Sequence, residues 1–229
     1  MGWFTNAISS SLGRKLIMAV TGLFLVLFLI GHVSGNLYLF FDDEGQAFNL
    51  YAAFMTTSPA VQILRILTAL SFIFHIIYSI VLTRMNRKAR PVEYQVKKPS
   101  ANTEWPARNM GLLGTLVFIF LIVHLRAFLY EMKFGDVPVV DYGELGQVKD
   151  LYSVVEATFS IWWVSAFYVV MMIFLGFHLW HGFKSGFQTL GIKHKKYTPA
   201  IEKIGYGLAI LIPLIFAIMP LYFLIRNMM

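Results

Sequence analysis

The sequence predicts an all-α integral membrane protein: a five-transmembrane-helix bundle with its N-terminus in the cytoplasm and its C-terminus outside. Three observations carry this expectation. Hydrophobic residues make up 58% of the 229 positions and charged residues only 14%, where soluble domains hold about 25% charged residues. Five segments each supply the roughly 20 apolar residues that a helix needs to cross the hydrocarbon core. Basic residues gather at alternate ends of those segments, the pattern that sets membrane topology. Residues 1–229 are therefore expected to form a single membrane domain.

The first span covers about 15–41. Arg14 and Lys15 precede it as they would in a secretory leader. The apolar block is too long for that, however, and no small-residue cleavage site follows, so it reads as a retained span. The second span, about 60–84, follows "SPA", and the third, about 108–132, follows "PARN"; both are polar or helix-breaking boundaries. The fourth, about 152–183, exceeds what a bilayer needs and is expected to tilt or to project beyond it. The fifth runs over about 203–225.

Charge fixes the orientation. The N-terminus, the 84–108 segment and the 184–203 segment together carry 14 basic and 3 acidic residues. The remaining ends and loops, including "FDDEG" and "GDVPVVDYGELGQVKD", carry 5 basic and 9 acidic. The positive-inside rule places the first set in the cytoplasm. These charges flank membrane spans and cover no soluble face, which argues against nucleic acid as a partner; a docking surface for a cytoplasmic protein is compatible with the topology signal. The chain has no cysteine, which excludes a thiolate-bound iron–sulfur cluster and C-x-x-C-H haem attachment. It also lacks a G-x-G-x-x-G fingerprint and a P-loop. Any flavin or iron–sulfur chemistry belongs on another polypeptide.

Histidine is the informative residue. His32, His75, His124 and His178 fall one in each of the first four spans; His181 follows one turn after His178, and His194 sits in the basic stretch "GIKHKKYTP" as a solvated residue. Ionisable side chains inside a membrane are rare and mark functional sites. A helix rises about 1.5 Å per residue, so counting from the basic markers places His32 roughly 25 Å deep, His124 roughly 24 Å, His75 roughly 13 Å and His178 roughly 9 Å. The four thus form an outer pair, His32 with His124, and an inner pair, His75 with His178. Two facing imidazoles fill both axial positions of a haem iron and leave no open site for oxygen, which suits electron transfer. Without cysteine such a haem is held non-covalently, as b-type. Gly35 and Gly182, each about one turn from a histidine, and Ser71 and Ser79 around His75 allow close helix approach.

Several stretches, in order, resemble the single-chain, five-helix, di-haem cytochrome b subunit of succinate dehydrogenases and fumarate reductases. They are "TGLFLVLFLIGH", "GQAFNLYAAFM", "FHIIYSI", "IVHLRAFLYE" and "FHLWHGFKSGFQTLGI". The resemblance runs from about Arg14 to Arg226 and implies the same ligand pairs: His32 and His124 for an outer haem b, His75 and His178 for an inner one. It further implies a multi-pass anchor in the cell inner membrane, beneath a flavoprotein subunit and an iron–sulfur subunit on the cytoplasmic face. The chain would relay electrons to or from a quinone, usually menaquinone. Because the basic loops put the partners beside the inner pair, the quinone is expected on the outer side next to the outer haem; the alternative is a site near the iron–sulfur partner with a structural outer haem. The dicarboxylate chemistry then lies on the partners. Haem propionates need donors: Arg84, Lys184, Gln188 and Arg108 are inner candidates, and Arg65 and Arg126 outer ones, unless those two snorkel to the interface. The chain departs from some relatives in two places. It reads "MTTSP", with Thr56 and Thr57, where they carry a carboxylate, with Asp42, Asp43 and Glu44 as nearby substitutes, and it has no glutamate close before His178. The alternatives are the cytochrome b subunit of a hydrogenase or formate dehydrogenase, and a haem-free proton-coupled transporter using histidine relays.

Overall fold

The computed structural model describes residues 2–89 and 104–229. Helix α1 (Trp3–Ser9) leads into α2 (Ser11–Asn36), whose start is capped by the Ser10 hydroxyl accepting from Gly13 N at 3.0 Å. A 3-10 turn over Leu37–Phe40 continues α2. There follow α3 (Gln46–Thr57) and α4 (Pro59–Lys88), the latter with proline in its first turn, where a missing N–H costs nothing. Next come α5 (Trp105–Arg108) and α6 (Met110–His124), which runs through a π-turn over Leu125–Tyr130 into α7 (Glu131–Phe134). Strands β1 (Val139–Asp141) and β2 (Gln147–Lys149) form an antiparallel hairpin, and α8 (Leu151–Ser160), α9 (Trp162–Thr189) and α10 (Thr198–Arg226) complete the chain.

Five of these stretches are long and apolar enough to cross a membrane: Ser11–Phe40, Pro59–Lys88, Met110–Phe134, Trp162–Thr189 and Thr198–Arg226. This is the pattern of a multi-pass membrane protein. Their outward faces carry Leu27, Ile63, Ile66, Ile173 and Ile210, all exposed. So broad an apolar surface is unfavourable in water. Exposed Trp162 and Trp163 stand at one end and Trp105 at the other, as aromatic belts do. Below, the end bearing Arg14, Arg84, Arg108 and Lys184 is called the basic end and the opposite one the acidic end. Residues 90–103, most of the basic 84–108 segment, lie outside the described residues.

The fourth span is central. It packs on the first, third and fifth, while the second packs on the first. The first and third spans therefore face one another diagonally, as do the second and fourth. Two buried clusters run along the bundle: Val26, Met172, Leu175, Leu179, Ala209 and Ile212 at mid-height, and a larger one around Phe48, Tyr152, Phe159, Tyr168 and Phe223 toward the acidic end.

The fourth span differs from expectation. The run of 152–183 is not one rod; it is two helices, α8 and α9, separated at Ile161, whose backbone is extended (φ −81°, ψ 107°). A break frees carbonyls that need partners. The buried Ser165 hydroxyl donates to Phe159 O at 2.6 Å, and Asn227, just past the end of the fifth span, donates to Ser160 Oγ. The true span starts later and ends at Thr189, six residues beyond the expected boundary.

The stretches α3, the hairpin and α8 form a layer over the acidic end, fastened by Asn49. This side chain is 1% exposed. Its amide donates to Tyr142 Oη at 3.0 Å and Asp150 Oδ1 at 2.9 Å and accepts from Tyr152 N at 2.8 Å. Arg226 then donates to Tyr152 Oη at 2.6 Å. Gly45 opens α3 at φ +85°, with the Tyr152 ring against its Cα, so only glycine fits both the conformation and the contact. In the hairpin, the Gln147 amide and the Gly143 N–H hold the Asp141 carboxyl below its ordinary range.

The π-turn explains an unusual pair. Arg126 bonds Glu131 at 2.7 Å, five residues on. Residues five apart lie on different faces of an α-helix, whose neighbours are three and four apart; the wider π-turn, with its i→i+5 repeat, stacks them.

Candidate functional site

Helix packing brings the membrane histidines together in two pairs, the same two that the depth count matched. The His32 and His124 ring centroids are 5.8 Å apart with planes at 82°. Those of His75 and His178 are 6.3 Å apart with planes at 69°. His75 lies against Gly22 of the first span and His178 against Gly114 of the third. His32 and His124 each lie ten residues further along those same helices, so both helices give roughly 15 Å between the pairs along the bundle.

Each pair has its own lining. A Cβ on Gly22 would stand 3.1 Å from His75 Cε1, and one on Gly114 would stand 3.8 Å from His178 Cε1. The His75 ring thus occupies space that Gly22 leaves, while His178 sits at ordinary contact distance from Gly114. Around the other pair, Phe28 stacks on His32 (5.4 Å, 12°) and Phe120 on His124 (5.6 Å, 28°), with Phe216, Phe128 and Tyr168 closing the cluster.

The ring nitrogens are unevenly satisfied. His75 Nδ1 is 3.3 Å from Thr21 Oγ1, and His32 Nδ1 is 3.3 Å from Asn36 Nδ2. Nδ1 of His124 and of His178 is buried without a partner, as is the Tyr168 hydroxyl. Among the described residues no hydrogen bond engages Nε2 of His32, His124 or His178, and the His75 ring also has the Met18 backbone carbonyl in reach. Paired buried imidazoles of this kind have the chemistry of metal ligands or of proton relays.

The other residues singled out in the sequence are placed as follows. Lys184 lies between Glu202 (3.3 Å) and Glu104 (3.7 Å). His181 is half-buried, within electrostatic reach of Glu104 and Lys184. Arg84, Arg108 and Gln188 are exposed at the basic end, and Arg65 is exposed near the start of α4. Arg126, 61% exposed, is engaged by Glu131 and covers the Tyr130 ring at 4.3 Å. Asp43 caps α3, accepting from Gly45 N and Ala47 N, while Thr56 and Thr57 donate to the Ala53 carbonyl. Gly35 makes room for the Tyr51 ring and Gly182 faces Met110 Cε; neither borders a histidine ring. The glycines that do, Gly22 and Gly114, have no local sequence signal, because the ring each one faces is on another helix. Compared with known proteins, the chain matches no family model, no curated protein and no solved structure, which leaves the geometry to carry the functional reading.

Proposed function

We propose that the chain is a di-haem b membrane anchor that carries electrons between the iron–sulfur subunit of a succinate dehydrogenase or fumarate reductase and a membrane quinone. The spacing of the histidine pairs carries this reading. A metal–imidazole bond of about 2 Å plus the ring's own radius sets two axial rings on one ion with centroids roughly 6.3 Å apart. The pairs stand at 6.3 and 5.8 Å. His32 with His124 and His75 with His178 would each hold one haem iron, for which paired imidazole nitrogens are suitable donors. Haem, when bound, supplies one-electron chemistry. The chain's own residues hold the four imidazoles at two depths and exclude bulk water with apolar and aromatic walls.

In this reading the basic end is cytoplasmic, as the charge asymmetry supports. The flavoprotein and iron–sulfur subunits dock there, near His75 and His178. Quinone, menaquinone in most such anchors, reacts at the acidic end beside His32 and His124, so electrons cross most of the bilayer. Arg84, Lys184, Arg65 and Arg126 remain the candidate propionate partners; Lys184 and Arg126 would have to exchange their present carboxylate partners.

Purified full-length protein should contain two haems by pyridine haemochrome assay, with a low-spin oxidised spectrum. His32→Ala and His178→Ala should each leave one haem, while His181→Asn keeps both. A wild-type ratio of zero or one, or a five-coordinate spectrum, overturns the reading. In the assembled complex, His32→Ala should abolish turnover with a menaquinone analogue and spare turnover with a soluble dye. Intact quinone turnover would refute the acidic-end site.

A further inference from the structure

We infer that Thr21 is a positioning residue for His75: its hydroxyl oxygen accepts the Nδ1 proton of the imidazole, which leaves the lone pair on Nε2. The inference rests on the reading of His75 as a metal ligand, and it comes from proton bookkeeping at one hydroxyl. A threonine has one proton to give and two lone pairs to receive. Thr21 Oγ1 lies 2.7 Å from Ile17 O and 3.1 Å from Met18 O, both carbonyls of its own helix. Carbonyls only accept, and Ile17 O at 2.7 Å is the nearest acceptor for the one hydroxyl proton. The third contact, 3.3 Å to His75 Nδ1, is then a hydrogen bond in which the histidine nitrogen donates. A neutral imidazole has one N–H, so Nε2 is bare, and a bare Nε2 is the form that binds a metal.

Gly22 completes the device. It is the residue after Thr21, and the His75 ring rests on it where any side chain would intrude. Neighbouring residues of the first span thus supply the ring's clearance and its orientation. The other pair has no equivalent. The Asn36 side chain donates to the His32 carbonyl at 2.7 Å and presents the same nitrogen to His32 Nδ1. A nitrogen donor there holds Nδ1 as an acceptor, so the ligating tautomer of His32 requires the amide to turn and offer Oδ1. Among the four rings, His75 is the one whose Nδ1 meets an oxygen acceptor.

A ligand histidine that donates its second N–H is a stronger base toward the metal. It therefore favours ferric over ferrous iron, and loss of the bond raises the reduction potential. Thr21→Val keeps the shape and removes the hydroxyl, whereas Thr21→Ser keeps the hydroxyl and removes the methyl. In an optical redox titration of the full-length protein, Thr21→Val should move one of two haem components to more positive potential. The expected size is roughly tenfold in the ferrous-to-ferric ratio, or about 59 mV for one electron. Thr21→Ser should titrate like wild type. Nitrogen-15 shifts of histidine in haem-free full-length protein give a second readout: His75 should be protonated at Nδ1 in wild type and Thr21→Ser, and mixed between tautomers in Thr21→Val. The Met18 carbonyl is in reach of the same ring. If Thr21→Val leaves both potential and tautomer unmoved, that carbonyl holds the ring and the inference is wrong. Equal shifts in the Val and Ser variants would also overturn it, since packing would then be the cause. Absence of haem from the wild type would overturn the proposed function, and the nitrogen shifts would still decide the role of Thr21.

Discussion

At the basic end, His75 and His178 rest on the glycines of two helices, Gly22 and Gly114, with a threonine hydroxyl beside one ring. At the acidic end, His32 and His124 stand among Phe28, Phe120, Phe128, Phe216 and Tyr168. The ring spacings differ by only half an ångström, so one arrangement has been reached by two routes. The first withholds side chains so that backbone can come close. The second surrounds the rings with aromatic faces, whose stacked and edge-on contacts contribute about 0.5–1.5 kcal/mol each beyond burial. A site built on clearance is sensitive to added atoms; a site built on stacking is sensitive to removed ones.

The largest test of that contrast is Gly22→Val. A Cβ there is already tight against His75 Cε1, and two further methyls force the ring away. The variant should lose one haem of two, while Gly31→Val, which meets nothing within 4 Å, keeps both. Retention of both haems by Gly22→Val would show that clearance is not what sets the basic-end pair. Next in size is Asn49→Ala in the layer above the acidic-end pair. It strands a buried Tyr152 N–H and breaks two further bonds, at a cost of about 3 kcal/mol, or roughly 6–12 °C in unfolding midpoint. Thermal unfolding in detergent measures this, and a shift under about 2 °C would mean that the layer is held mainly by its apolar contacts. The smallest effect belongs to Tyr168→Phe. That hydroxyl is buried and unpaired, so deleting it should leave the midpoint unchanged or add up to about 1 kcal/mol. A clear loss of stability would reveal a partner for the hydroxyl beside His124.

Much of this was legible in the sequence because it depends on quantities that a helix fixes. The rise per residue is constant, so counting from Lys15, Arg84, Arg108 and Lys184 was enough to match His32 with His124 and His75 with His178. Four of the five spans lie within about five residues of their expected ends, since apolar length is itself the signal. The break at Ile161 was not legible. "FSIWWVS" has neither proline nor glycine and is apolar on both sides; what stabilises the break is Ser165 and, from the far end of the chain, Asn227. Asn49 and α3 were hidden for the same reason, their partners lying about a hundred residues away. Thr21 reads as an ordinary polar residue in an apolar run until the second span is laid beside it.

Asn49 also sets a clock on biogenesis. A chain is made from its N-terminus at about 5–20 residues per second, and Tyr152, whose amide closes the Asn49 clasp, lies 103 positions downstream. For roughly 5–20 s after its synthesis, α3 has no Tyr152 to meet, and the nascent chain holds a polar amide and Phe48 without their final cover. The Thr21–His75 contact spans only 54 positions and becomes available in about half that time. The two ends of the bundle therefore mature in sequence: the second span can settle on the first while the ribosome is still making the third, and the cover over the far end closes only after α8 has emerged.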